Sequence, residues 1–97
     1  EVLNGNGRVG EATQLSSFLN RQLATVKHID NARDFQYKYT KIVDWKGSYD
    51  NSLQLAKLIS IDPQHIISYD RKSKPIDITI VLGHDWNPGL LELLNND

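Results

Sequence analysis

Three kinds of residue in this sequence have types and spacings that could do chemistry: glycines, histidines and aromatics. Gly5-x-Gly7-x-x-Gly10 lies between a short apolar stretch and a helical pattern, where glycines let a backbone approach a pyrophosphate at a helix N-terminus. Asp30 falls about 20 positions beyond Gly10, where a dinucleotide fingerprint places its ribose-binding acid. Against that reading, 97 residues supply too few strand-helix units for a doubly wound domain, and the second strand leads to another strand with no helix between them. The competing reading, a glycine turn that lets helix and sheet pack closely, is preferred, and no cofactor is expected.

His28, His65 and His84 are too dispersed to form a ligand set, so no metal site is expected. His84-Asp85 could be a hydrogen-bonded pair, but a base without a nearby nucleophile or oxyanion donor is not a mechanism. Ser16-Ser17 falls inside a helical stripe and reads as a surface pair. The sequence offers no catalytic constellation and predicts a non-enzyme.

The aromatics are more informative. By period two, Tyr37, Tyr39, Lys41, Val43 and Trp45 share one side of an extended segment, and Lys38, Thr40, Ile42 and Asp44 share the other. Two arrangements follow. The aromatic side faces an open surface, where Tyr37, Tyr39, Lys41 and Trp45 stack on sugar rings or meet a protein; or Val43 and Trp45 pack under helices and the tyrosines lie at the strand's frayed start. Trp86 is expected to plug the core at the end of the last strand.

Several elements must position these residues. Val2-Leu3 ends a strand. Ala12, Leu15, Phe18, Leu19 and Leu23 recur at three and four to give a helix from Glu11. Thr25 to Asp30 and Tyr37 to Trp45 read as extended segments, and Asp50 or Asn51 caps a second helix that Asp62-Pro63 stops. His65 to Tyr69 forms a short edge strand, and 70–75 is a solvated turn. Ile76 to Leu82 alternates strictly at first, and Val81 on its polar side marks that strand as central near its end. Residues 87–97 are a tail or short helix beyond a domain spanning 1–86. The order β-α-β-β-α-(β)-β predicts an α+β two-layer sandwich on the split βαβ, ferredoxin-like plan, with two helices on one face of a small mixed sheet and the other face open.

Composition narrows the partners. Leu, Ile, Val and Phe make up 28 of 97 residues, above the roughly 20% below which disorder is expected. Eleven Lys and Arg against twelve Asp and Glu, scattered along the chain, argue against nucleic acid or an anionic membrane held by bulk electrostatics. Without cysteine there is no disulfide, thiol nucleophile or Cys-based zinc site. A start at Glu1 with no Met predicts a segment of a longer product, so any export signal or membrane anchor is expected upstream.

Val2-Leu3-Asn4-Gly5 with Gly7 and Gly10, then Asn31-Ala32, Tyr39-Thr40, Leu55-Ala56 and finally the run from Ile76 through Leu82-Gly83-x-Asp85-Trp86 resemble the LytR C-terminal domain family. The resemblance covers about 2–86. Ala24-Thr25 depart from the Gly-Phe that the family usually has after the first helix. The resemblance implies an exported or envelope-tethered bacterial module, extracytoplasmic and without catalytic residues of its own. Asn4, Gly5, Gly7, Gly10, Asp85 and Trp86 are its motif positions, with structural roles expected. With the open aromatic face, it implies peptidoglycan or another wall polymer as partner; the unpaired 65–69 edge and the apolar Leu90 to Leu94 tail suggest, as the alternative, a neighbouring envelope protein or a second copy. Near-neutral charge implies that a wall polymer is held by shape and stacking more than by net attraction.

Overall fold

The computed structural model describes residues 1–22 and 24–95. Leu23 of the expected helical stripe, and Asn96 and Asp97 of the expected tail, lie outside the described residues. The elements are β1 (Val2–Asn4), α1 (Glu11–Arg21), β2 (Ile29–Asn31), β3 (Lys41–Asp44), α2 (Tyr49–Leu58), a 3-10 turn over Pro63–His65, β4 (Ile66–Ser68), β5 (Ile78–Leu82) and α3 (Gly89–Asn95). This is the predicted element order, and the architecture is the expected α+β sandwich.

The ferredoxin-like strand arrangement is not the one found. The five-stranded sheet runs β2-β1-β5-β3-β4. β1 is parallel to β2 and to β5, β3 is parallel to β4, and only β3 with β5 is antiparallel. The strands of each βαβ unit, β1-α1-β2 and β3-α2-β4, are therefore direct neighbours, not split by an inserted strand. β5 joins the two units at the centre, which is why it carries apolar residues on both faces.

Register aligns one apolar row, Ile29, Val2, Ile80, Ile42 and Ile66, across all five strands. Leu15, Phe18 and Leu19 of α1 and Ala56 and Ile59 at the end of α2 close over its central members in one core, so both helices cover the same face. Trp86 joins that core at 5% exposure, as expected of a plug. Leu91 of α3 joins it too, which fastens the short helix beyond residue 86 to the domain.

Element ends differ from the sequence reading for local reasons. α2 starts at Tyr49 with Ser48 as N-cap, and neither Asp50 nor Asn51 caps it. It ends before Asp62-Pro63, because Ser60 takes a left-handed φ of 58° and Ile61 N–H donates to Ala56 O at 2.8 Å, closing the helix in a Schellman-type turn. β3 is shorter than Tyr37 to Trp45 because residues 37–40 run beside the loop after β5: His84 N–H donates to Tyr37 O and Asp85 N–H to Lys38 O.

Candidate functional site

The face of the sheet opposite the helices carries Leu3, Val81 and Lys41 in one register row and Thr79, Val43 and Ile67 in the next. Val81, Val43 and Thr79 are buried there although no helix covers them. Side chains do the covering. Trp45, one step beyond β3, stacks on Tyr69, one step beyond β4, with ring centroids 5.2 Å apart and planes 16° from parallel. The indole N–H of Trp45 donates to Thr79 Oγ1 at 2.8 Å, and Thr79 Oγ1 donates in turn to Glu1 Oε2 at 2.8 Å. Lys74 Nζ lies 4.3 Å over the Trp45 ring, and Arg71 lies over Tyr69. At the other end of β3, Lys41 Nζ lies 5.1 Å over Tyr37, whose ring edge also packs beside Gly5.

The structure takes part of each arrangement open to the aromatic strand: Val43 and Trp45 do not pack under the helices, while Tyr37 and Tyr39 precede β3. It brings Tyr37 to Lys41 and places Trp45 with Tyr69. Tyr39 goes elsewhere, stacking on His65 at 4.8 Å with Lys38 over it. Tyr69, Arg71 and Lys74 were not singled out from sequence. The available signal was the β3-α2-β4 order: a parallel pairing of β3 with β4 sets Asp44 opposite Ser68, so the next residues, Trp45 and Tyr69, must meet.

The glycine loop spends its polar groups on itself and on the segment after β5. Asn4 Oδ1 accepts from the N–H groups of Asn6 and Gly7, and Asn4 Nδ2 donates to Arg8 O. Asn6 Nδ2 donates to Glu11 Oε1 and Gly83 O, and Arg8 reaches Glu11, His84 O and Trp86 O. Gly5 is squeezed against β5, where a Cβ would lie 2.7 Å from Leu82 O. Gly7 and Gly10 take φ of 79° and 87°. Asp30 does stand in β2 beside β1, as a dinucleotide site would require. The buried Glu11 carboxylate, however, occupies the first turn of α1, where it opposes an incoming phosphate.

The second motif clamps the same end of the sheet. Gly83 runs so close to the 39–40 backbone that a Cβ would sit 2.3 Å from Tyr39 C. Asp85 Oδ1 accepts from Thr40 N–H at 2.7 Å and Thr40 Oγ1 at 2.8 Å, and Gly83 N–H donates to Thr40 Oγ1. Asp85 thus pairs with Thr40, not with His84, whose Nε2 meets Phe35 O at 2.7 Å. Beside this clamp lies a cleft of about 340 Å³ walled by Ile59, His65, Asp85, Trp86 and Leu90. A larger groove, about 740 Å³, runs between α1 and α2 and is lined by Leu19, Val26, Leu55 and Ile78.

One carboxylate is fully buried. Asp44 ends β3 on the helix-covered side; burial works against its charge, but hydrogen bonds from Lys46 N–H, Ser68 Oγ and the Ser48 and Gly47 backbone outweigh that cost and hold it below the usual carboxylate range. Its partners are the turn into α2 and the neighbouring strand, so its work is positional. Among the described residues, no group of three His, Asp or Glu side chains is placed to hold a metal ion, and no helix is long and apolar enough to cross a membrane.

No curated protein and no solved structure matches the chain significantly. A family match does exist, over residues 1–86, and it takes in the glycine loop, the aromatic strand and the Gly83-x-Asp85-Trp86 clamp. The chain accordingly belongs to the LytR_C family, described as LytR cell envelope-related transcriptional attenuator, and is a cell-envelope-associated domain.

Proposed function

We propose that this domain is a non-catalytic accessory module of an exported envelope protein, and that it positions that protein on peptidoglycan or another wall polymer. The observation that carries the reading is the helix-free face of the sheet, where Tyr37, Lys41 and Trp45 are held with Tyr69 over a buried floor of Val43, Thr79 and Val81. A small domain ordinarily buries such a face under an element; here the rings and cations stand outermost. Incubation of the folded domain with purified sacculi, followed by sedimentation, tests it. The domain is expected in the pellet at low salt, and its absence there would sink the wall-binding reading.

A second reading, a protein-interaction or oligomerisation module, is favoured by one observation. β4 is an edge strand whose Ile67 is 40% exposed, and Leu93 of α3 is 71% exposed. Light scattering across a concentration series checks the self-association form: a constant monomer mass removes it.

A further inference from the structure

We propose that the wall polymer met by the helix-free face is an anionic one, recognised by ammonium and guanidinium groups that the chain seats on its own aromatic rings. This rests on the preceding reading that the face docks on wall polymer. Aromatic spacing alone suggests platforms for stacking a neutral sugar. In the structure those platforms are taken: Lys41 lies over Tyr37 at 5.1 Å, Lys74 over Trp45 at 4.3 Å and Arg71 over Tyr69 at 5.3 Å, while Trp45 and Tyr69 lie on each other. The Trp45 N–H, the tip through which an indole would bond a sugar hydroxyl, is given to Thr79. A neutral sugar would have to displace the cations to stack. An anion meets them as they stand.

The local charges agree. Lys46 Nζ donates to the carbonyls of Lys72 and Lys74, which draws the 72–74 turn toward the end of β3 and holds Lys74 in place. Lys72 is paired with Asp70 at 3.4 Å. Among the described residues, Lys41, Arg71 and Lys74 have no carboxylate within ion-pair distance. Glu1 is engaged by Thr79 and faces His28 at 3.8 Å, and Asp77, whose carbonyl accepts the backbone N–H of Trp45, is exposed. Three cations, each lying over a ring, suit a chain that repeats a carboxylate or a phosphate along its length. The chain-wide charge of -1 hides this patch.

The test uses the 97-residue chain and two pellets: sacculi that keep their covalently attached anionic polymers, and the same sacculi after those polymers have been hydrolysed away. Expected are binding to the first that fades as salt rises, binding weakened about tenfold on the second, and a similar loss for Arg71→Ala/Lys74→Ala with an unchanged thermal melt. Lys57→Ala, on α2 and away from the patch, should bind as the parent does. Equal, salt-insensitive binding to both pellets overturns the anion inference and leaves wall binding standing. Binding to neither overturns both. Single-stranded DNA bound as tightly as the polymer-bearing sacculi would mark a surface that reads charge alone, and would also overturn the assignment.

Discussion

On the helix-covered face, Ile29, Val2, Ile80, Ile42 and Ile66 run across five strands and α1 and α2 close over the centre of the row; one position along, the row Leu3, Val81 and Lys41 is closed by side chains alone. The same strands build both faces, so the contrast lies in what seals them. Helices seal by burying aliphatic area, which brings stability. Rings capped by cations seal more thinly. They keep water from Val81 and Val43 while presenting charge outward, and so combine modest stability with a surface that can be read.

Phe18→Ala puts that contrast under the largest load. Phe18 is 1% exposed in the covered core, and its truncation is expected to cost about 4 kcal/mol. Tyr69→Ala on the thin face should cost only about 1 kcal/mol, chiefly its stacking on Trp45. Urea unfolding with an unchanged m-value measures both. Equal losses would mean that the two faces are sealed to the same depth and that the distinction fails.

The seam between the faces comes next. At Gly83 a Cβ has no room, with Tyr39 C at 2.3 Å and Thr40 N at 2.6 Å, so Gly83→Ala should lose about 3 kcal/mol. Gly10→Ala meets nothing within 4 Å and bears only the strain of φ 87°, about 1 kcal/mol. The order of these two losses, read from denaturation midpoints, separates crowding from backbone strain. A reversed order would show that the clamp at 39–40 yields easily.

Asp44 tests the covered face by pH. Its carboxyl titrates below the ordinary range in the folded chain, so on acidification the unfolded chain takes up the proton first. The stabilisation from Asp44 is therefore complete at neutral pH and drains away as pH falls below about 4, toward the depressed folded value. Asp44→Asn should be less stable at pH 7 and show a flatter decline in that acid window. A parallel decline in parent and variant would assign the acid sensitivity to other carboxylates.

How far these features can be read from the sequence depends on how local they are. The α1 stripe from Ala12 to Leu19, the alternation of β5 and the burial of Trp86 follow from period and side-chain type, and the structure has them. The strand order does not follow from such signals: β-α-β-β-α-β-β is compatible with split and unsplit units, and only long-range pairing of β1 and β3 with β5 decides between them. The aromatic strand shows the boundary most clearly. Alternation places Tyr37 and Tyr39 with Trp45, but the close passage at Gly83 pairs residues 37–40 with the loop after β5 and sends Tyr39 to His65. The true neighbour of Trp45 is Tyr69, 24 residues on, visible only once β3 and β4 are known to be parallel.

The smallest effect bears most directly on how the helix-free face works. A Lys ammonium 4.3 Å over a partly exposed indole is worth about 0.5 kcal/mol, too little to matter for stability. A double-mutant cycle of Lys74→Gln and Trp45→Leu isolates that term, because leucine leaves the ammonium no π face. The single Trp45→Leu variant should lose about 2 kcal/mol, from the stacking on Tyr69 and the hydrogen bond to Thr79, and the coupling with Lys74 should stay near about 0.5 kcal/mol. A coupling of this size means that the indole orients the ammonium even though it adds little to the fold, which is what a presented charge requires. A coupling of zero would free Lys74 from the ring, leave the Trp45 face open for stacking, and return a neutral sugar to contention on this side of the sheet.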